Sequence, residues 1–168
     1  MVTGDKDFGQ LVKPNVKIYN PGKNEILGVA EVNAKYGLES PLQVIDLLGL
    51  MGDAADNIPG CPGVGPKTAE KLIATYGSIE NLLDHTDELK GSLKQKVSDN
   101  AEQIRLSKHL ATIRTDVPIE FDDERFKRVP VDYVKLREVF SQLEFRTLTT
   151  RIIDHGEANV GLEGVAAS

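Results

Sequence analysis

The most regular hydrophobic pattern in this 168-residue chain predicts two helices on either side of a segment that cannot be helical. Apolar residues recur at helical spacing up to about Met51, and again from Ala69 to Tyr76. Residues 59–66 between them read PGCPGVGP, and proline and glycine at this density favour tight turns. Because Pro66 suits the first turn of a helix, the pattern predicts two helices joined by a hairpin.

The start of the second helix is a candidate site for an anion. The first amides of a helix have no partner within it, so Lys67, Thr68 and Ala69 are expected to present theirs outwards. Gly63 and Gly65 have no side chain to keep a phosphate away, and Lys67 adds a positive charge. Taken alone, the same residues are explained equally well by a plain helical hairpin with turn residues.

The remaining pattern predicts a small β component and several more helices. Residues 16–19 alternate, residues 20–24 form a turn and residues 25–29 return, which is typical of a β-hairpin. Gly37 ends a short helix, Ser40 and Pro41 begin the first long one, and Ser78 caps another. Helices are predicted for residues 31–36, 41–51, 78–83, 89–99, 101–113 and 131–143, with 117–121 extended. The last helix is expected to turn Val134, Leu136, Val139, Phe140 and Leu143 towards a core.

Composition narrows the function classes. The net charge of −6 disfavours a broad nucleic-acid-binding surface, although residues 90–114 carry six lysines and arginines against two acidic residues. A solvated helix face is the simpler explanation for any single one of those lysines. One cysteine, Cys61, excludes an internal disulfide and a cysteine-based zinc site, and no apolar run reaches membrane-spanning length. A reducing, cytoplasmic setting is expected.

Two pairs of aspartates are candidate ligands for a divalent cation. Asp5 and Asp7 stand in TGDKD, which is typical of the end of a parallel strand followed by a short helix, and capping of that helix is the alternative. Asp53 and Asp56 are three residues apart, which on a helical turn would place both on one side. They too have an alternative role, in stabilising a turn.

Three motifs together resemble one family. The run GVGPKTA at residues 63–69, preceded by GDAADNIPG at residues 52–60, resembles the helix-3-turn-helix, a form of helix-hairpin-helix, of the 5′ nuclease (flap endonuclease) family. TGDKDFGQL at residues 3–11 matches the family pattern T-x-D-x-D-x-x-Q-L. The chain from Thr3 to Ile153 is similar to the later part of the 5′-nuclease domain of bacterial DNA polymerase I.

The resemblance implies a mostly α fold with a small β component, the carboxyl portion of an α/β nuclease domain. Residues 1–40 would be a remnant of the α/β core, residues 41–153 the helical helix-3-turn-helix region, and residues 154–168 a linker. The family also supplies carboxylates from a strand and a helix upstream of TGDKD, which the 168 residues do not contain. The chain by itself is therefore expected to be inactive.

The resemblance also implies roles for individual residues. Asp5, Asp7, Asp53 and Asp56 would be catalytic ligands of Mg²⁺ or Mn²⁺. Backbone carbonyls of Pro59, Cys61 and Val64 would hold K⁺ in the hairpin. The DNA-binding residues would be Gly63, Gly65, Lys67 and Thr68.

The implied partner is duplex DNA with a 5′ flap or a nick, and polymerase-associated domains would follow in the parent chain. The resemblance also implies a cytoplasmic, nucleoid-associated location.

Two alternatives to this interpretation remain open. The first is a non-catalytic helix-hairpin-helix module that only grips the DNA backbone, for which the four aspartates would be unnecessary. The second is part of a stand-alone 5′ nuclease.

Overall fold

The computed structural model describes residues 1–154, which are mostly helical with a small sheet at the amino terminus. Strands β1 (Ile18–Asn20) and β2 (Glu25–Leu27) pair antiparallel with Ile18 opposite Leu27, which confirms the predicted β-hairpin. The parallel strand predicted before TGDKD is reduced to one bridge between Val2 and Tyr19. Its hydrogen bonds run from the Thr3 amide to the Tyr19 carbonyl (3.0 Å) and from the Tyr19 amide to Met1 (2.8 Å).

Contacts divide the chain into two compact units, Met1–Val117 and Pro118–Ser168. The first unit contains the sheet, 3-10 turns at Asp7–Leu11, Pro41–Gln43 and Thr86–Glu88, and helices α1 (Val29–Tyr36), α2 (Val44–Met51), α3 (Pro66–Tyr76), α4 (Ile79–Asp84), α5 (Gly91–Asp99) and α6 (Ala101–Ala111). The predicted boundaries at residues 40 and 153 stay predictions, and the linker beyond residue 154 lies outside the described residues.

Helix α2 is the centre of the first unit, and it packs against α6 and α3. Six of its eight residues are buried, which matches its apolar run. Gly49 allows the closest approach, because a Cβ atom there would lie 2.7 Å from Ile79 Cδ1 and 3.0 Å from the Lys108 Cα. Truncating a fully buried side chain in this layer, such as Leu47, to alanine costs about 2–5 kcal/mol.

Local capping signals locate several helix ends. The Ser40 hydroxyl accepts a hydrogen bond from the Leu42 amide, while the Gln43 side chain accepts one from the Ser40 amide. This capping box begins a 3-10 turn that continues directly into α2. Ser78 caps α4 and Gly37, in the left-handed region at φ 63°, ends α1, both as predicted.

Helix α6 ends two residues before the predicted limit at residue 113, and a buried side chain explains the difference. Gln10 donates from Nε2 to the Ala111 carbonyl (2.9 Å) and accepts from the Ile113 amide at Oε1 (2.9 Å). Because Gln10 takes over these backbone groups, the helix need not continue. Smaller differences occur at α1, which begins at Val29 rather than residue 31, and α5, which begins at Gly91 after a separate 3-10 turn.

The second unit contains α7 (Asp123–Phe126), α8 (Tyr133–Gln142), α9 (Arg146–Leu148) and a π-helical turn at Thr149–Asp154. Asp132 caps α8 by accepting from the Lys135 amide (3.0 Å). The expectation that α8 turns its apolar residues towards a core is wrong for Val134, Val139 and Leu143, which are 74%, 41% and 54% exposed. The helical period was right, but within the described part of this unit only short neighbouring elements are present to cover that face. No helix in residues 1–154 is long and apolar enough to cross a membrane.

Candidate metal centre and nucleic-acid interface

The first acidic segment is held by side-chain-to-backbone hydrogen bonds. The Thr3 hydroxyl accepts from the Asp5 amide (3.0 Å), and Asp5 Oδ1 accepts from the Asp7 amide (3.0 Å). These turns lead the chain from the bridge at Val2 into the 3-10 turn that begins at Asp7. Asp5 thus makes a local turn contact of the kind considered from the sequence, and its side chain is exposed.

The second acidic segment forms a closed loop, so the prediction that Asp53 and Asp56 share a helical turn is wrong. Helix α2 ends at Met51, and Asp53 and Ile58 then exchange two backbone hydrogen bonds of 2.9 and 2.8 Å. Asp53 Oδ1 also accepts from the Ala55 amide (3.0 Å). The chain turns here because Gly52, at φ 71°, adopts a conformation that other residues rarely take.

The fold brings Asp7, Asp53 and Asp56 together. Each of the three offers one carboxylate oxygen, and these oxygens all lie within 4.8 Å of one another. Asp5 is not part of this group, although its negative charge is close enough to affect Asp7. Asp53 is buried, Asp7 is half-buried and Asp56 is exposed, so the group is open on one side.

The electrostatics of this group suit a cation. Asp7 Oδ1 is buried and has no hydrogen-bond partner among the described residues. Burial, followed by the negative charges of Asp5, Asp53 and Asp56, raises the pKa of Asp7 to about 6. An orphaned carboxylate oxygen beside two further carboxylates is the oxygen-rich environment that hard divalent ions prefer. The residues present therefore fit a divalent metal.

Lys6 is a member of the site that sequence reasoning missed. Its ammonium nitrogen lies 2.6 Å from Asp53 Oδ2. This contact lowers the pKa of Asp53 and raises the pKa of Lys6. The only signal for Lys6 in the sequence was its position between Asp5 and Asp7.

The hairpin between α2 and α3 is attached to the protein core through its first residues. The Cys61 amide donates to the Leu50 carbonyl (2.7 Å), and the Val64 amide donates to the Cys61 carbonyl (3.0 Å). Cys61 and Val64 are both buried, whereas Pro59 is exposed. Of the three carbonyls expected to hold K⁺, the one at Cys61 therefore already accepts a hydrogen bond.

The amino terminus of α3 presents fewer amides than expected. Thr68 and Ala69 both donate to the Gly65 carbonyl at 3.0 Å, so the expectation that their amides point outwards is wrong. The helix closes its first turn on its own N-cap, so of the three amides at Lys67, Thr68 and Ala69 only that of Lys67 has no backbone acceptor within residues 1–154. The Lys67 side chain is exposed.

The glycines of the hairpin differ in what surrounds them. Nothing lies within 4 Å of a Cβ atom built on Gly65, whose backbone is extended (φ −90°). A Cβ atom on Gly63, at φ 74°, would lie 2.6 Å from the ammonium nitrogen of Lys96. Lys96 therefore adds a positive charge from α5 to the hairpin. In the sequence Lys96 is one of several basic residues between positions 90 and 114, and no spacing rule connects it with Gly63.

Comparison with known proteins points to one family. The family described as 5′-3′ exonuclease, C-terminal SAM fold, matches residues 39–134. DNA polymerase I of Bacillus subtilis is 43% identical over 155 residues, which cover 89% of this chain and 18% of that protein. DNA polymerase I of Rhizobium leguminosarum is 39% identical over 155 residues, covering 92% of this chain and 15% of that protein. The chain thus spans less than a fifth of the length of these relatives.

Solved structures agree on the fold. T5 5′-exonuclease with bound zinc aligns with a TM-score of 0.61 at 22% identity, over 66% of this chain and 41% of that one. The T5 D15 flap endonuclease in a pseudo-enzyme-product complex with DNA and metal ions aligns with a TM-score of 0.60 at 21% identity, with the same coverage. The family match extends over more than half of the chain and includes the acidic loop, the hairpin and α3. The chain therefore belongs to the 5′-3′ exonuclease family with the C-terminal SAM fold.

Proposed function

We propose that this chain is the carboxyl part of the 5′→3′ exonuclease and flap endonuclease domain of a DNA polymerase I. The observation that carries the proposal is the meeting of Asp7, from the first acidic segment, with Asp53 and Asp56 beside the hairpin. The substrate would be duplex DNA with a 5′ flap or a nick. Polymerase-associated domains would follow in the parent chain, which would act in the cytoplasm on nucleoid DNA.

In this proposal, Asp7, Asp53 and Asp56 hold Mg²⁺ or Mn²⁺, and Asp5 contributes negative charge from the edge. A bound divalent ion supplies a nucleophile from water at neutral pH and neutralises the charge of the leaving oxygen. The side chains of the protein would hold the ion and orient it. Asp53 is kept in place by the Ala55 amide and by Lys6, and the half-buried Asp7 becomes a ligand when it loses its proton.

The hairpin would grip the DNA backbone without reading its sequence. Gly65 leaves open space for a phosphate, and the Lys67 amide and the side chains of Lys67 and Lys96 would supply the donors. Thr68 would contribute through its hydroxyl rather than its amide, and Gly63 through the close approach of its backbone. Contacts from these groups to phosphates carry no sequence information, so affinity would depend on salt and little on sequence.

A K⁺ ion held by the carbonyls of Pro59, Cys61 and Val64 would add positive charge beside the phosphate. The test of this ion is to replace K⁺ by Li⁺ at constant ionic strength, which should weaken duplex binding.

By itself the chain should cleave a 5′ flap poorly or not at all. Three clustered carboxylates are few for the two ions that phosphodiester hydrolysis uses in two-metal sites. Robust cleavage by the 168 residues, abolished by Asp53→Ala, would contradict this.

The decisive experiment is duplex binding measured by fluorescence anisotropy. Gly65→Val should weaken binding more than Lys67→Ala does, since a branched side chain blocks the backbone approach while Lys67→Ala removes one charge. The fold should tolerate the change, because Gly65 is extended and nothing surrounds its Cβ position. Gly22→Val, at an exposed glycine in the β1–β2 turn, is the matched control and should bind as wild type. Equal affinity for wild type and Gly65→Val would remove the hairpin from the DNA interface.

A non-catalytic DNA-gripping module is the second candidate, and the Lys6–Asp53 ion pair favours it, because that pair compensates Asp53 without any metal. Mn²⁺ titration separates the two candidates. Saturable binding that is lost in Asp7→Asn and Asp53→Asn, but kept in the exposed Asp99→Asn, supports the nuclease. Duplex binding with no saturable Mn²⁺ site supports the gripping module.

A further inference from the structure

Gly60 opens the hairpin, and both of its backbone polar groups bind side chains of helix α6. Its amide donates to the Ser107 hydroxyl (3.0 Å), and its carbonyl accepts from Gln103 Nε2 (2.8 Å). Ser107 is fully buried and its hydroxyl donates in turn to the Gln103 carbonyl (2.8 Å). Because residues four apart lie on the same face of a helix, Gln103 and Ser107 together bind the two backbone groups of one residue.

Gly60 has no room for a side chain, because its backbone is packed closely against the end of α2. Its φ of 64° is left-handed, and a Cβ atom there would lie 2.3 Å from the amide nitrogen of Gly52. The next residue, Cys61, donates to the Leu50 carbonyl of α2. The backbone at Gly60 is thus enclosed between the end of α2 and the polar side chains of α6, and both helices contact the point where the hairpin leaves the core.

The same helix is attached to the acidic group. Gln10, which lies in the 3-10 turn that begins at Asp7, binds the Ala111 carbonyl at the other end of α6. On the hairpin side, the Asp53–Ile58 bridge closes the acidic loop two residues before Gly60. Helix α6 therefore contacts both the turn that carries Asp7 and the loop that connects Asp53 with the hairpin.

We infer that Gln103 and Ser107 are positioning residues that set the hairpin at a fixed distance and angle from the acidic group. They bind the backbone amide and carbonyl of Gly60, and Gly60 leads directly into the rest of the hairpin. The inference rests on the proposed function for its DNA readout. The positioning itself is a property of the protein alone and is measurable without DNA.

The test uses the full 168-residue chain with Gln103→Met, which keeps the length of the side chain and loses its donor, and with Ser107→Ala. Ile104→Val is the matched control, because Ile104 is a fully buried residue of the same helix that serves packing only. Duplex affinity is measured by fluorescence anisotropy well below the melting temperature of every variant. Hydrogen exchange is followed at the Val64 amide in the hairpin and at the Leu82 amide in α4 as reference.

Gln103→Met and Ser107→Ala should each weaken duplex binding about threefold to tenfold, the effect of losing about one hydrogen bond. Both should speed exchange at Val64 more than at Leu82, and Ile104→Val should leave the affinity and the ratio of the two exchange rates unchanged. The inference would be overturned if Gln103→Met and Ser107→Ala both kept the wild-type duplex affinity and the wild-type ratio of the Val64 and Leu82 exchange rates. It would also be overturned if Ile104→Val weakened binding as much as Gln103→Met, since global destabilisation would then suffice. A third outcome is that neither the wild type nor any variant binds duplex DNA, while Gln103→Met and Ser107→Ala still speed exchange at Val64 more than at Leu82. In that case the positioning role stands and the proposed DNA function fails.

Discussion

The ammonium group of Lys6 lies 2.6 Å from Oδ2 of Asp53, a carboxylate whose side chain is 4% exposed. A charge this well buried needs a partner, and Lys6 supplies it from the neighbouring segment. A divalent ion bound by Asp7, Asp53 and Asp56 would bring positive charge to the same carboxylate. Lys6 and the metal therefore compete for Asp53.

Lys6→Gln should tighten Mn²⁺ binding about threefold to tenfold, because the competing positive charge is removed, with tenfold corresponding to 1.4 kcal/mol. The same change should lower the melting temperature of the metal-free chain, since Asp53 loses its partner. Isothermal titration with Mn²⁺ and thermal unfolding measure the two effects. Lys13→Gln, at an exposed lysine, makes the same change in net charge and is the control. Identical Mn²⁺ affinities for the two variants would show that Lys6 does not compete with the metal.

Asp7 should make the stability of the metal-free chain depend on pH. Its pKa of about 6 lies above the ordinary value of 3.8, so the folded state binds more protons between these two values. Stability should therefore fall as the pH rises through this window. Asp7→Asn should remove the fall and stabilise the metal-free chain at pH 7.5 by about 1–2 kcal/mol, a value reduced for the partial exposure of Asp7.

Urea denaturation at pH 4.5 and pH 7.5 measures this effect, with the exposed Asp99→Asn as control. Adding Mn²⁺ at pH 7.5 should stabilise wild type and not Asp7→Asn, since the metal binds the deprotonated carboxylate. A free energy of unfolding for Asp7→Asn that changes with pH as in wild type would contradict the role assigned to this carboxyl.

The ion pair between Asp46 and Lys108 should stabilise the packing of α2 on α6. Asp46 is buried and accepts from Lys108 Nζ (2.6 Å) and from the Ile79 amide (2.9 Å). Lys108→Ala leaves this carboxylate without its cation, and should cost about 3 kcal/mol in the free energy of unfolding. Glu80→Ala removes the other partner of Lys108, and should cost less than about 1 kcal/mol because that carboxylate is 60% exposed. Equal costs in urea denaturation would contradict the distinction between the buried and the exposed pair.

Lys96 should contribute to DNA binding through charge. Its ammonium group lies over Gly63, so Lys96→Met should lower duplex affinity and reduce the slope of log affinity against log salt by about 0.9. Wild type should show a slope of roughly −2 to −3, corresponding to two or three phosphate contacts. Anisotropy titrations over a range of KCl concentrations measure the slope, and Lys23→Met in the β1–β2 turn is the control. A slope that Lys96→Met leaves unchanged would place Lys96 outside the interface.

The features that neighbouring residues specify were predictable from the order of the amino acids alone. The β-hairpin, the starts of the helices at Ser40 and Ser78, the left-handed glycine at Gly37 and the hairpin before Pro66 all follow from local rules. Backbone conformation, capping and apolar periodicity act over a few residues. For the same reason the motifs that carry the family resemblance were readable, and the family match includes the hairpin.

Contacts between distant residues depend instead on how the whole chain packs. The ion pair of Lys6 with Asp53, the position of Lys96 over Gly63 and the hydrogen bonds of Gly60 to α6 join residues that no spacing rule relates. Even helix lengths depended on such contacts, because Gln10 ends α6 by binding its last carbonyl. These pairings arise when packing in the core brings separate elements together and each buried polar group must find a partner. That requirement acts on the folded chain as a whole, so a local sequence pattern does not predict these pairings.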